Sequence, residues 1–266
     1  MKVVRLYMNN RLRNFNYIIG CEQTGQAIAL DPLDGEAVLA AADAQGWQIK
    51  LIINTHEHHD HIEGNPAVQA ATGAPIWASE HAVNKIPNVA KGLIANEVIE
   101  LGSMVFKVLP TPGHTPVHVC LLTLSEQTPQ LFSGDTLFNA CAGNCFNGGD
   151  VDEMYESFQR ELSPLPDNTI LYPGHDYMKN NLAFSLVWEP NNQQTKYWQT
   201  AVDSLEPESM PLMTLGQERQ YNPFLRLNSE VLIERLQLHA KQSILETGPN
   251  NPRAVFKALR GQRDQW

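Results

Sequence analysis

A cluster of histidines and carboxylates occupies residues 55–61, Thr-His-Glu-His-His-Asp-His, directly after the strand-like residues 51–54, Leu-Ile-Ile-Asn. Four of the nine histidines fall in this segment. Imidazole nitrogens and carboxylate oxygens are the ligands that divalent metals such as zinc prefer. A solvated histidine-rich loop is the alternative interpretation. So many histidines after one predicted strand favour a metal site, because ligand sites gather at the carboxyl ends of strands.

Three more candidate ligands follow apolar, strand-like segments. His114 follows FKVLPTPG, Asp135 follows LFSG and His175 follows TILYPG. Each residue alone would more often be a surface or capping residue. Together with the first cluster they form a set of five imidazoles and two carboxylates. This set is too large for one tetrahedral ion with an open position, and it suits two ions that share a bridging ligand.

The segments T-H-x-H-x-D-H, G-H-T, S-G-D-T and P-G-H-D-Y resemble the metallo-β-lactamase superfamily over most of the first two thirds of the chain. The resemblance implies two divalent metal ions, zinc by expectation, with iron or manganese as alternatives. The ligand assignment that it implies is His56, His58 and His114 for the first ion, Asp60, His61 and His175 for the second, and Asp135 as the bridge. We expect the other histidines, His59, His81, His118 and His239, to be ordinary surface or core residues.

Such a site predicts hydrolysis. The pKa of water bound to a divalent metal can fall from about 15.7 to about 7. A hydroxide held between two ions is therefore the expected nucleophile. It would attack an acyl carbon whose carbonyl one ion polarises. Asp135, as the bridge, and Asp60, which could also orient the nucleophile, are the candidate catalytic residues. A thioester suits this site, because a thiolate leaves without needing a general acid.

The segments P-G-H-D-Y-x-x-N-N, Y-N-P-F-L-R and L-R-x-x-R-D-Q-W resemble glyoxalase II, the hydroxyacylglutathione hydrolases, and extend the similarity to nearly the whole chain. This resemblance implies hydrolysis of S-2-hydroxyacylglutathione, such as lactoylglutathione, to glutathione and a hydroxy acid in methylglyoxal detoxification. It also implies that a C-terminal helical domain binds glutathione. The positions that match this role are Tyr177, Asn181, Arg260 and Arg263.

A predicted terminal helix supports the arginines independently. Arg253, Lys257 and Arg260 are spaced i, i+4 and i+7 and share a face with Arg263. Guanidinium groups bind carboxylates in a bidentate manner, and glutathione carries carboxylates. A solvated basic face is the alternative interpretation.

One loop departs from the family pattern. Where the family has G-K-F-Y-E-G, residues 143–148 are Gly-Asn-Cys-Phe-Asn-Gly, so Asn144 and Phe146 replace a lysine and a tyrosine. Loss of a charge-assisted hydrogen bond to a carboxylate predicts binding weaker by ~1.5 to 3 kcal/mol. Hydrolysis of a different thioester or ester therefore stays the alternative function.

The elements that must position these residues predict an α/β fold. Three short apolar segments at the start predict antiparallel strands, alternating helices and strands follow, and strand signals after Asn96 predict a second sheet. Beyond Asp176 the pattern is helical. The resemblance implies a four-layer αβ/βα sandwich with a C-terminal helical domain. We expect a catalytic domain over residues 1–178 and a substrate-binding domain over residues 179–266.

The composition limits the classes of binding partner that we expect. A formal net charge of -10 disfavours nucleic acid and anionic membranes, which select basic surfaces. No apolar run approaches the roughly 18 residues of a spanning helix, so we expect a cytoplasmic protein. We also expect a monomer. We expect its four cysteines to be reduced, with no catalytic role.

Other readings of the metal cluster compete with this one. A persulfide dioxygenase has one iron, which the full ligand set disfavours, and β-lactamases typically have cysteine where Asp135 stands. The acidic composition disfavours an RNA-processing nuclease. Another thioesterase and a non-catalytic metal-binding module remain, and the complete ligand set makes the module the weaker of these two.

Overall fold

The first sheet begins as the antiparallel meander that the sequence predicts. In this computed structural model, which describes residues 1–239 and 251–266, its strand order is β1-β2-β3-β4-β5-β6. The strands are β1 (Lys2–Tyr7), β2 (Phe15–Gly20), β3 (Gln26–Leu30), β4 (Gln48–Asn54), β5 (Ile76–Ser79) and β6 (Val89–Leu93). The first three strands pair antiparallel, and β3 to β6 pair parallel. The parallel half therefore directs its carboxyl ends to one edge.

Two helices cover one face of this sheet. They are α1 (Gly35–Ala44) and α3 (Asn65–Thr72), and the single turn α2 (His59–Ile62) lies between them in the chain. The side chain of Asp34 caps α1 by accepting from the backbone N–H of Ala37, and Gly73, at φ +69°, ends α3. Buried side chains of both helices pack with those of β2 and β4, so this layer is closed by hydrophobic burial.

The second sheet has the order β13-β10-β9-β8-β7 in the described part of the chain. Its strands are β7 (Val98–Leu101), β8 (Met104–Pro110), β9 (Val119–Thr123), β10 (Gln130–Gly134) and β13 (Ile170–Pro173), and between the last two lies a separate hairpin of β11 (Leu137–Phe138) and β12 (Cys141–Ala142). Tyr17 and Ile19 of the first sheet pack against Phe106, Phe132 and Tyr172 of the second in one buried cluster. The two sheets are therefore stacked face to face.

Helices cover the outer face of the second sheet. They are α4 (Val151–Ser157), continued by a π-helical turn at Phe158–Leu162, α5 (Met178–Trp188), α6 (Gln193–Val202), α7 (Leu215–Tyr221), α8 (Glu230–His239) and α9 (Pro252–Arg263). Leu109 and Leu131 of the sheet share a buried cluster with Phe158, Phe184 and Phe256. The layers therefore follow the order α, β, β, α, which confirms the predicted sandwich with C-terminal helices.

Most predicted elements are confirmed, and six of the elements described above were not predicted: α2, β6, β11, β12, α5 and α7. Helix α5 buries residues on several sides, including Asn181 and Ser185, so it lacks the single apolar stripe on which a helix prediction depends. Within the helical pattern beyond Asp176, the sequence predicts one helix around residues 229–244; Glu230–His239 of it form α8, and residues 240–244 lie outside the described residues. The division at residues 178 and 179 stays a prediction. None of the described helices has the length and apolar character needed to span a membrane.

Candidate metal centre

The candidate ligands follow the ends of four strands, in both sheets. His56, His58, Asp60 and His61 follow β4, His114 follows β8, Asp135 follows β10 and His175 follows β13. The ends of β4 and β10 approach each other closely at Gly134. A Cβ at this position would lie 2.7 Å from Thr55 Oγ1 and 2.7 Å from His118 Nε2, and its φ is +46°. Glycine is therefore needed before Asp135 on both counts.

The first group of candidate ligands that the structure brings together is His56, His58 and His114. The Nδ1 atom of His58 lies 3.0 Å from Nε2 of His56 and 2.9 Å from Nε2 of His114. All three ligand atoms lie within 4.8 Å of one another. Imidazole nitrogens that face one another this closely repel unless a cation or a proton lies among them. The donor set fits a metal of the imidazole-binding class.

The second group is Asp60, His61 and His175. Nε2 of His61 lies 3.3 Å from Nε2 of His175, and Asp60 Oδ2 lies 3.5 Å from each. The carboxylate of Asp135 reaches both groups, because its Oδ2 lies 3.1 Å from His175 Nε2 and 3.5 Å from His114 Nε2. This is the position that a bridging carboxylate needs.

An unpaired atom provides an independent test of the fit. Oδ1 of Asp135 is buried and has no hydrogen-bond partner among the described residues, although Nε2 of His61 lies 3.4 Å from it. An unpaired buried carboxylate oxygen costs free energy unless a cation compensates it. Gly174 leaves room beside this atom, because a Cβ there would lie 2.4 Å from it. The residues present therefore fit two divalent metal ions.

The remaining ring nitrogens of four histidines are fixed by acceptors. The Nδ1 contacts are His56 with Thr55 Oγ1 at 3.0 Å, His61 with Asp31 Oδ2 at 3.0 Å, His114 with the Asn144 carbonyl at 2.7 Å, and His175 with the Leu12 carbonyl at 2.7 Å. Because a carbonyl or carboxylate only accepts, Nδ1 of three of these rings carries the proton. Their Nε2 lone pairs then face the centre, as ligation requires.

The electrostatics favour a positive charge in the centre. Burial lowers the pKa of His56 well below its ordinary value, so its ring is neutral, as a ligand must be. Burial acts to raise the pKa of Asp135, but His175 and His61 outweigh it and hold that pKa well below its usual range. Asp135 is therefore an ionised carboxylate in a buried site.

The other histidines occupy different environments. His59 and His81 have exposed side chains, and Nδ1 of His239 contacts the Arg235 carbonyl on the surface. His118 is buried and satisfied, as expected, yet it also touches the centre. Its Nε2 accepts from the backbone N–H of Asp135 at 3.0 Å, and its ring stacks on His56 at 5.0 Å. Sequence reasoning missed this positioning contact, for which the only signal was its place four residues after His114.

A cavity of about 200 Å³ contains the predicted substrate residues. It is lined by Asn144, Phe146, Tyr177, Asn181, Arg260 and Arg263, all predicted, and by Phe138, Cys141, Ala142, Asp264 and Trp266, which were not. The cavity adjoins the centre, because the ring of Tyr177 stacks on His175 with centroids 4.9 Å apart and an interplanar angle of 4°.

The two cavity arginines differ in what they have left to bind. Arg260 is buried and donates to the carbonyls of Ala142 and Gly143 at 2.8 Å each, and it pairs with Asp264. Arg263 makes one hydrogen bond to a described residue, from Nη2 to Asn181 Oδ1 at 3.1 Å, and its Nε is buried and has no partner among those residues. Arg263 is therefore the better donor for an anionic ligand.

The basic face predicted on the terminal helix is divided in the structure. Arg253 pairs with Asp152 and Glu156, and Lys257 pairs with Asp152 at 2.5 Å. These two cations hold α9 against α4 and do not line the cavity. Of these four cations, only the two arginines of the last turn line the cavity. The prediction that all four form one anion-binding face is therefore wrong.

Known proteins resemble this chain over its whole length. A family model described as the metallo-β-lactamase superfamily matches residues 19–175, and one described as the hydroxyacylglutathione hydrolase C-terminus matches residues 176–266. A hydroxyacylglutathione hydrolase of Polaromonas sp. is 49% identical over 269 residues, and one of Nitrosococcus oceani is 44% identical over 272 residues, each over 100% of both chains. The crystal structure of ETHE1 from Myxococcus xanthus shares the fold, with a TM-score of 0.67, 24% identity and coverage of 99% of this chain and 98% of that chain.

Proposed function

This chain belongs to the hydroxyacylglutathione hydrolases of the metallo-β-lactamase superfamily, and on that premise we propose that it hydrolyses S-2-hydroxyacylglutathione, such as lactoylglutathione, to glutathione and a hydroxy acid. The observation that carries the proposal is the buried, unpaired Oδ1 of Asp135 between two groups of histidines, with a cationic cavity beside them. Neither feature would suffice alone, since the residues around Asp135 supply the chemistry and the cavity supplies the substrate preference.

The proposed ligands are His56, His58 and His114 for one ion, Asp60, His61 and His175 for the other, and Asp135 for both. When bound, such ions lower the pKa of water towards neutrality and polarise a carbonyl. Zinc is the metal we propose, because imidazoles dominate the ligands, and iron or manganese would also suit them.

The chain's own groups keep the ligands in the correct state. The acceptors behind the rings of His61, His114 and His175 keep the proton on Nδ1, so Nε2 is the ring atom that is aimed inwards for a metal. The side-chain amide of Asn14 donates to Asp60 Oδ2 at 2.8 Å and fixes that carboxylate. This pre-organisation places the reacting groups before substrate arrives, which is where such sites gain most of their rate.

The cavity supports the choice of a thiol-containing substrate. Thiols have a pKa of about 8.5, so the thiolate released by cleavage needs no proton from the protein. The guanidinium of Arg263, which makes one hydrogen bond to a described residue, can bind a carboxylate, and the aromatic rings of Phe138 and Tyr177 also line the cavity. We propose that the thiol half of the substrate occupies this cavity, with its acyl carbon towards the metals.

The altered loop favours a second candidate, hydrolysis of a different thioester or ester. The Phe146 side chain is 66% exposed and lacks a hydroxyl, and the Asn144 side chain accepts from the backbone N–H of Phe146 at 3.2 Å. Both positions therefore contribute less to an anion than a lysine and a tyrosine would. A thioester panel that varies the thiol separates this candidate from the first.

The test is an assay of the purified protein on lactoylglutathione, coupled to metal analysis before and after treatment with a chelator. We expect two metal ions per chain and turnover that chelation removes and metal restores. The panel should include acyl thioesters of coenzyme A and of cysteine. Faster cleavage of these than of lactoylglutathione would support the second candidate, and no metal-dependent cleavage of any member would refute both.

A further inference from the structure

A fully buried carboxylate lies in the helical region, away from the metal ligands. The side chain of Glu218, on α7, has no measurable exposure, and no lysine or arginine of residues 1–239 and 251–266 pairs with it. Buried carboxylates without a cation are rare, because the loss of hydration is expensive. Burial raises its pKa above the ordinary value, in spite of its hydrogen bonds. Such a group needs a structural explanation.

Four donors supply that explanation. Oε1 of Glu218 accepts from Asn139 Nδ2 at 2.9 Å and from the Tyr221 hydroxyl at 2.5 Å. Its Oε2 accepts from the backbone N–H of Ala140 at 2.8 Å and from Asn222 Nδ2 at 3.0 Å. Two of these donors belong to α7 and the residue after it, and the other two form the turn of the β11–β12 hairpin. The carboxylate therefore joins the helical region to that turn.

The turn needs this support. Ala140 has a φ of +60°, a conformation that alanine rarely adopts. Its carbonyl accepts from Ser185 Oγ at 3.3 Å, and the Asn139 carbonyl accepts from Asn181 Nδ2 at 2.9 Å. Helical residues therefore hold the turn on both its donor and its acceptor sides. A two-stranded hairpin with two residues in each strand would not keep this shape alone.

The hairpin in turn shapes the cavity. Phe138, Cys141 and Ala142 line it, and Asn144 follows directly after the hairpin. The Asn144 carbonyl accepts from Nδ1 of His114. The position of the hairpin therefore affects the walls that a substrate touches and, two residues further on, the oxygen that orients a candidate ligand.

We propose that Glu218 is a positioning residue, which holds the β11–β12 hairpin in the shape that the substrate cavity requires. This inference rests on the proposed function for its substrate, and it adds a residue that touches neither substrate nor metal. We expect the positioning role to depend on the two acceptor oxygens of Glu218 and not on its negative charge, because none of its four hydrogen-bond partners is charged.

Two substitutions at one position separate acceptor from charge. Glu218→Met keeps the approximate length of the side chain and removes both acceptors, whereas Glu218→Gln keeps an acceptor for Ala140 and lets the amide of Asn139 turn to accept from the new NH₂ group. We expect Glu218→Met to raise KM for lactoylglutathione about tenfold, equivalent to ~1.4 kcal/mol, with a smaller effect on kcat. Glu218→Gln should stay close to the unaltered protein.

Glu189→Met is the matched control. Glu189 is also a buried carboxylate of the helical region, but its partners are Arg226 and Ser229 and it does not touch the hairpin. We expect this control to lower the melting temperature and leave KM unchanged. An unchanged KM in Glu218→Met, or an equal rise in Glu189→Met, would overturn the proposal.

Hydrogen exchange gives a second measurement that does not depend on the substrate. In the protein without substrate, amides of residues 137–144 should exchange faster in Glu218→Met than in Glu218→Gln or Glu189→Met. If Glu218→Met fails to fold, Asn139→Ala removes one hairpin donor and should raise exchange in the same segment. Unchanged exchange there would refute the positioning role. A protein that cleaves no thioester but shows the expected exchange would refute only the proposed function.

Discussion

Asp31 and His61 form a buried hydrogen-bonded pair, with Asp31 Oδ2 3.0 Å from His61 Nδ1. The carboxylate is itself held by Thr55, whose backbone N–H and hydroxyl each donate to it at 2.7 Å. Asp31 follows β3 and His61 follows β4, two neighbouring parallel strands. A residue at the end of one strand therefore orients the candidate metal ligand that follows the next strand. Contacts of this kind fix the ring and raise its basicity.

Replacing Asp31 by asparagine should weaken metal binding or activity by roughly 10 to 100-fold. An asparagine puts an NH₂ group where either Thr55 or His61 already donates. The measurement is metal content per chain after dialysis against graded chelator, together with kcat. Asp34→Asn is the control, because asparagine caps a helix as well as aspartate does. Equal metal retention in both variants would contradict a role for Asp31.

Replacing Asp135 by alanine should abolish thioester cleavage and lower the metal content below two ions per chain. The reason is that its carboxylate is the only one among the described residues that reaches both groups of histidines. Metal analysis and activity should be measured on the same preparation. An active variant that retains two ions would show that the bridge is misassigned.

The double variant Asn144→Lys, Phe146→Tyr should bind glutathione thioesters more tightly. It adds a cation and a hydroxyl to the loop beside Arg263, and a charge-assisted hydrogen bond is worth ~1.5 to 3 kcal/mol. That range corresponds to a KM lower by roughly 10 to 150-fold. Glutathione inhibition should strengthen in parallel. A variant that binds no better would mean that the substrate lies elsewhere in the cavity.

The thiol of Cys145 should react slowly at neutral pH. Burial raises its pKa to about 12, so at pH 8 only about one molecule in ten thousand carries the reactive thiolate. Labelling of the folded protein with a thiol reagent should therefore accelerate about tenfold per pH unit between pH 8 and 10, with peptide mapping to follow Cys145. Denatured protein, in which the pKa returns to about 8.5, is the control and should label rapidly at pH 8. Rapid labelling of Cys145 in the folded state at pH 8 would contradict the raised pKa.

The close approach of the candidate ligands was predictable from sequence because each follows an apolar strand, and strand ends in layered α/β folds meet at one edge. The groups behind them were not predictable. The Leu12 carbonyl has no side-chain signal, and Asp31 precedes His61 by thirty residues with no shared motif. Trp266 and Phe138 line the same cavity although they are far apart in the sequence. Only tertiary packing makes them neighbours.

The helical region shows the same limit. The arginines of the terminal helix share a face by periodicity, yet Arg253 and Arg260 have different partners, because α4 carries carboxylates opposite only the first. Helical spacing predicts which residues point the same way. It does not predict which neighbour each of them meets.

The contact between His114 and residue 144 has an evolutionary consequence. It uses the main-chain oxygen, which every amino acid possesses, while the side chain of residue 144 borders the cavity. Mutations at this codon can therefore alter which thiols are accepted and leave the support of the histidine in place. In related proteins, an exchange of lysine for asparagine at this position can change substrate preference while the hydrogen bond to His114 is kept.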